Sequence, residues 1–161
     1  LETRLACVGS TEVDMSGAYL LDGHRHADIT NYIDFATPDC VVRDAVAGVV
    51  TGKGKGVFQG KFHVRRPAQK TDAEMRHDAL MLSDTAKINA KPELEIYADD
   101  VECAHGNTIG QLDEAALFYM RQRGIPEAQA KALLIEAFVA ARLGEDEDMI
   151  AQVREWLEAQ R

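Results

Sequence analysis

Two different periods run along the chain. Over residues 1–110, apolar and polar positions alternate in short runs. In "HADITNYIDFA", Ala27, Ile29, Ile33 and Phe35 share one side of an extended chain, and Asp28, Thr30, Tyr32 and Asp34 the other. "GVFQGKFHV" puts Phe58, Phe62 and Val64 on one face, and "PELEIYADDVEC" sets Leu94, Ile96 and Ala98 against Glu93, Glu95 and Tyr97. Successive side chains of a strand point to opposite faces, so a period of two predicts half-buried β-strands. Gly, Asp and Asn turns separate the runs, and Asp22-Gly23 is the one candidate hairpin dipeptide. Many short strands with few hairpin turns fit a sandwich, a barrel or a parallel β-helix, and no clean repeat selects among them. "RRPAQKTDAEMRHDALMLSD" (Arg65–Asp84) mixes basic, amide and acidic groups and is expected to be a solvated connection with a short helical turn.

From residue 111 the grammar changes. Residues 1–110 hold 10 of the 12 glycines and all five histidines, whereas residues 111–161 are rich in Ala, Leu, Glu and Gln, which favour helix. The shift marks a boundary near Thr108–Gln111, beyond which three helices are expected. Asp113 is a good N-cap, with Leu112 and Leu117 placed as a hydrophobic staple. Gly124 stops the first helix and Pro126 starts the next. There Ala130, Leu133, Leu134, Ala137, Phe138 and Ala141 form an apolar stripe at helical spacing, ended by Gly144. "EDED" (Glu145–Asp148) suits the N-terminal dipole of a third helix, which Met149, Ile150, Val153, Trp156 and Leu157 make amphipathic. So short a helical tail leaves apolar surface for something else to cover.

Composition narrows the class. A chain of 161 residues suffices for one domain, or one with an appended module, and 46% apolar residues supply a core. A net charge of −9 argues against a nucleic-acid binder and against anionic membrane surfaces. Cys7, Cys40 and Cys103 stand far apart with no CxxC pair, which suits a reducing compartment such as the cytoplasm rather than a disulfide or zinc scaffold. There is no signal peptide and no apolar run of bilayer-spanning length. The chain begins at Leu1 as though already inside a strand, as expected of a piece cut from something longer.

Four motifs carry candidate chemistry. "TGKGKG" (Thr51–Gly56) lacks the GxxxxGK[ST] pattern and precedes a strand, so it is expected to be a basic turn and not a nucleotide site. "HRH" puts His24 and His26 on one side of a strand, the opening of a cupin metal site, but Asp28 and Thr30 follow and a surface pair is expected. Glu74 or His77 could serve acid–base chemistry, with no fixed spacing in support. Cys103 and His105 are the strongest pair. Positions i and i+2 of a strand face the same way with Cα atoms about 6.6 Å apart, a span that one metal ion can bridge. Two ligands do not close a tetrahedral site, so the rest must come from another strand, another chain or water. The pair also matches a nucleophile with its base, although no third orienting group accompanies it, and a buried, inert Cys103 is an equal alternative on the residues alone. A stand-alone cupin-like or β-helical metal-binding enzyme using His24, His26 and His105 stays open at this point.

Three blocks resemble a known family. "GVFQGKFHV…AQKTDAE" (Gly56–Glu74), "LMLSDTAKINAKPELEIYADDVECAHGNTIGQLDEAALFYMRQRGIP" (Leu80–Pro126) and "LLIEAFV" (Leu133–Val139) closely resemble the carboxy-terminal part of the SufB/SufD family of iron–sulfur cluster assembly proteins. "CAHG" and the short acidic tail place the resemblance nearer the SufD branch. The resemblance implies a right-handed parallel β-helix over residues 1–110, truncated at its N-terminal end, and a helical domain over 111–161. It implies a non-enzymatic scaffold subunit of a cytoplasmic SufBCD complex. Such a subunit pairs with SufB through the β-helix and docks the SufC ATPase through its C-terminal helices, where Phe118, Tyr119, Arg121 and Arg123 are the candidate contacts. His105 and Cys103 match positions near the SufB interface, where iron or a nascent iron–sulfur cluster is held transiently and no cofactor is bound tightly. Unpaired strand edges also make a homodimer of the isolated chain conceivable; neither nucleic acid nor membrane is an expected partner.

Overall fold

The alternating runs become eight strands: β1 (Glu2–Cys7), β2 (Thr11–Leu21), β3 (His26–Phe35), β4 (Cys40–Val50), β5 (Lys55–Val64), β6 (Thr71–Met81), β7 (Lys87–Ile96) and β8 (Val101–Gly110). Helices α1 (Glu114–Gln122), α2 (Glu127–Leu143) and α3 (Glu147–Ala159) follow. This is a computed structural model, and it describes residues 1–144 and 146–160.

Each strand pairs with the strand two places on, always parallel, giving two four-stranded sheets in the orders β1-β3-β5-β7 and β2-β4-β6-β8. The chain therefore passes from one sheet to the other at every turn and climbs one rung per pair of strands, a parallel β-helix of about four coils. Asp22-Gly23 is accordingly a corner between sheets and not a hairpin. The parallel ladders also set aside the cupin-like alternative.

The period of two now has a physical cause. Inward positions fill the coil: Ile33, Phe35, Cys40, Val42, Val50, Phe58, Phe62 and Val64 are fully buried. They stack from rung to rung, Ile33 on Phe62 on Leu94, and Phe35 meets Phe62 edge to face with centroids 5.4 Å apart. Part of the outer face of the second sheet is apolar too. Ala47, Val49 and Leu80 lie there under Ile135, Val139 and Leu143 of α2 and Val153 and Leu157 of α3. This second core binds the helices to the sheet and explains why "VAGVV" reads as a continuous apolar run.

Two expectations are corrected. Arg65–Asp84 is mostly strand β6, with Thr71, Ala73, Met75, His77 and Ala79 buried. Most of those inward residues are small or polar, so the alternation is invisible in hydrophobicity. In α2 the buried residues are Ala130, Ile135, Val139 and Leu143, whereas Leu133 is 43% exposed and Ala137 is exposed. The helix is apolar on more than one side, so docking and not periodicity selects its inner face. Asp113 caps α1 as expected, accepting from the Ala115 and Ala116 amides, and within the acidic run it is Asp146 that caps α3, accepting from the Met149 amide at 3.0 Å. Glu145 of the acidic run lies outside the described residues.

Candidate functional site at the open end of the coil

Cys103 and His105 lie on β8, the last strand of its sheet. Their register partners on β6 are Ala73 and Met75, both inward and buried, so both side chains take the inward parity of the coil. Among the described residues no further strand continues either sheet beyond β7 and β8. The inward residues of this last coil are therefore incompletely covered. Ile88, Leu94, Val101 and Cys103 pack partly buried on the core, while Ile96 and Ile109 are each 38% exposed and His105 is exposed. The result is an apolar mouth carrying one thiol and one imidazole, with the free backbone edge of β8 beside them. Burial pushes the Cys103 thiol up, opposed by a hydrogen bond with the Ala73 backbone. Cys103 is thus a thiol at neutral pH, and a metal binding there must displace its proton.

The rungs below are polar but satisfied. Asp44 shares the column of Met75 and His105 and is buried. Asn31 Nδ2 donates to its two oxygens at 3.0 and 3.1 Å, yet burial still raises its pKa to about 6. His77 sits between Tyr19 and Phe58, with ring centroids 5.9 and 4.7 Å away. Burial lowers its pKa, so it is neutral. Its Nδ1–H then donates to Asn107 Oδ1 at 2.8 Å and its Nε2 accepts from the Tyr19 hydroxyl at 3.0 Å. His77 is a core residue and Glu74 an exposed one on the outer face, so the geometry gives neither a substrate-facing acid–base role.

The other candidates fall elsewhere. His24 is in the turn before β3 and His26 begins that strand on its outer face, so the pair does not share a strand and does not meet His105. Among the described residues no three His, Cys, Asp or Glu side chains are grouped to hold a metal ion, which leaves Cys103 and His105 as two donors. On α1 only Leu117 is buried, while Phe118 and Tyr119 are 63% and 57% exposed. Arg123 lies over the Tyr119 ring at 3.4 Å, and Arg121 pairs with Glu127 at 3.5 Å.

Two arrangements escape sequence reasoning. Cys7 and Cys40 are buried together, and burial, with Cys40 alongside, pushes the Cys7 thiol up to about 11. Asp78, on the outer face of β6, is clamped by Arg76 and by Arg142 of α2. No local pattern announces a contact across 64 residues.

The SUF system FeS cluster assembly, SufBD core domain family matches residues 4–138. The chain is similar to the iron-sulfur cluster assembly protein SufD of Escherichia coli (strain K12), with 40% identity over 113 residues, 70% of this chain and 27% of that protein. It is similar to an iron-sulfur cluster assembly SufBD family protein of Synechocystis, with 37% identity over 129 residues, 80% of this chain and 28% of that protein. A chloroplastic protein of Arabidopsis thaliana, ABCI7, is 36% identical over 138 residues, 86% of this chain and 26% of its own length. The chain spans between a quarter and a third of the length of these relatives.

Proposed function

The chain belongs to the SufB/SufD family of SUF-system iron–sulfur cluster assembly proteins and is SufD-like, and from that premise we propose that it is part of a non-catalytic scaffold subunit whose open coil end meets a SufB-like partner. The carrying observation is the uncovered last coil, where Cys103 and His105 take the inward parity beside a free strand edge. A second β-helix adding a strand at β8 would cover the half-buried apolar row and satisfy the edge amides and carbonyls. Iron or a nascent cluster is the cargo at that junction. A thiolate and an imidazole are a suitable donor set for it, and a site finished by another chain releases its cargo more readily than a closed one.

In the same proposal, α1 docks a SufC-like ATPase through Phe118, Tyr119, Arg121 and Arg123. The exposed aromatic pair with a stacked guanidinium has the composition of an interface anchor. Movement of the helices would reach the junction through Arg142 and Asp78, because β6 carries Asp78 outward and pairs with β8 along its length. No described helix is long and apolar enough to cross a membrane. A cytoplasmic location belongs to the same proposal and is supported by the three free cysteines, which suit a reducing compartment.

The test is His105→Ala in the full-length protein, co-expressed with SufB-like and SufC-like partners. Iron and sulfide in the co-purified complex should fall while the subunits still associate. Undiminished loading overturns the role of His105. Phe118→Ala with Tyr119→Ala should lose the SufC-like subunit alone, and its retention moves the docking site elsewhere.

A further inference from the structure

One corner of the coil carries a column of basic side chains on its outer surface, whereas Cys103 and His105 take the inward parity. The turns β2–β3, β4–β5 and β6–β7 stack there. Thr51 N donates to Leu21 O at 2.8 Å, Lys53 N to Gly23 O at 2.7 Å, Lys55 N to Arg25 O at 2.9 Å, Leu82 N to Val50 O at 2.9 Å and Lys87 N to Gly54 O at 3.0 Å. Ser83 Oγ donates to Gly52 O at 2.7 Å, and Thr85 Oγ1 donates to the same carbonyl. Gly52 takes φ +62 and its Cα hydrogen faces Gly23, where a Cβ would lie 3.0 Å from the Gly23 nitrogen. The corner is thus tied across three coils.

His26, Lys55 and Lys87 occupy one register on this corner. Successive rungs are about 4.8 Å apart, so the column is about 10 Å long. His24 and Lys53 flank it, and with Asp84 and Thr85 these residues line an open groove of about 870 Å³. Three lysines against one aspartate make the groove positive on a chain whose net charge is −9. Like charges directly opposite on neighbouring strands oppose pairing. Elsewhere Lys61, Lys91 and Lys131 each have a carboxylate partner. Among the described residues Lys53, Lys55 and Lys87 form no such ion pair.

We propose that this groove binds a small linear polyphosphate, free or as the arm of a small molecule. Ammonium groups set in a line suit a chain of phosphates better than one tetrahedral ion, and lysine is a strong point-charge partner for phosphate. No Phe, Tyr or Trp lines the groove, and its lysines outnumber its two imidazoles, so the phosphates supply most of the affinity. Binding differs in kind from a P-loop. The amides of Lys53, Gly54 and Lys55 are already spent within the corner, and the side chains make the site.

Isothermal titration of the 161-residue chain with sodium tripolyphosphate tests this, with orthophosphate and ATP as parallel arms. The expected result is saturable tripolyphosphate binding, weaker in higher salt, with ATP similar and orthophosphate at least about tenfold weaker. Lys55→Gln with Lys87→Gln should weaken binding at least about tenfold. Lys91→Gln, on the outer face of β7 but paired with Glu93, should leave it unchanged. Both variants are surface changes, and thermal melting verifies their folding. Absence of saturable binding, equal binding by the double variant, or equal loss in Lys91→Gln overturns the site. None of these outcomes depends on the scaffold role proposed above.

Discussion

Replacing Arg142 by Met should loosen the helices from the β-helix by a measurable amount. Asp78 lies buried beneath α2, and its Oδ2 accepts from Arg142 Nε and Arg76 Nε, each at 2.8 Å, with a further bond from Arg142 Nη2. Burial pushes the Asp78 carboxyl up, but the hydrogen bonds from Arg76 and Arg142 outweigh it, and the group stays below the usual carboxylate range. Removing one partner of a buried pair costs about 3–5 kcal/mol, whereas an exposed pair contributes about 0–1 kcal/mol. Here the carboxylate is buried, Arg142 is partly exposed, and the half-exposed Arg76 remains as a second partner. Those features place Arg142→Met between the two limits, at about 2 kcal/mol. Asp78→Asn keeps the shape and frees both arginines to hydrate, for about 1–2 kcal/mol. The double variant should cost little more than Asp78→Asn alone, a coupling of about 1 kcal/mol or more. Urea unfolding followed by Trp156 fluorescence reports this directly, because the only tryptophan packs on the core shared by helices and sheet. The folded pKa of Asp78 lies below its unfolded value. The clamp therefore stabilises fully above the unfolded carboxylate value of about 4 and fades as pH falls through the folded one. The gap between wild type and Arg142→Met narrows on acidification. A cost below about 0.5 kcal/mol, or additive single variants, refutes the clamp.

Asp44 should behave in the opposite sense, because its folded pKa of about 6 lies above the unfolded one and ionisation costs stability as pH rises between them. Asp44→Asn should raise the unfolding free energy from urea titration at pH 7 by about 1–2 kcal/mol and flatten its pH profile above about pH 4; an unchanged profile contradicts this. Gly48→Ala would put a Cβ 2.3 Å from Tyr19 Cζ, displacing the ring that holds His77, whereas nothing lies within 4 Å of a Cβ at Gly106. Calorimetry should show a loss of about 1–3 kcal/mol for the first and under about 0.5 kcal/mol for Gly106→Ala, and equal losses refute the close fit. With Cys7 and Cys40 buried and Cys103 half-buried, a disulfide reagent should find one slow thiol in the folded chain and three after denaturation. Two fast thiols in the folded chain count against this core.

Strands with large inward residues were legible, and those without were not. β3 and β5 show their period through Ile33, Phe35, Phe58 and Phe62, whereas β6 hides it behind Thr71, Ala73 and His77. Closure into a coil was invisible to periodicity for a geometric reason. Val13, Val42, Ala73 and Cys103 are successive neighbours in one column at separations of 29, 31 and 30 residues. The corners absorb those differences, so no fixed repeat survives in the sequence. The parallel coil was legible instead through the family resemblance.

The same geometry separates the two places where chemistry gathers. Cys103 and His105 are neighbours in sequence, and a strand keeps i and i+2 on one side, so their pairing could be read directly; their openness could not, because it depends on β8 being the last rung. The lysine corner is the converse. His26, Lys55 and Lys87 are 29 and 32 residues apart, and each alone is an ordinary surface charge. Only stacking turns them into a column, and only the corner hydrogen bonds hold it in line. In a β-helix the unit of function is the column as much as the motif. A residue's chemistry there is set by what lies one coil above and one coil below it. Cys103 and His105 point inward on the last coil and have a neighbour on one side only, which is the physical ground for the proposed partner strand, whereas the lysine corner faces outward and needs no further rung.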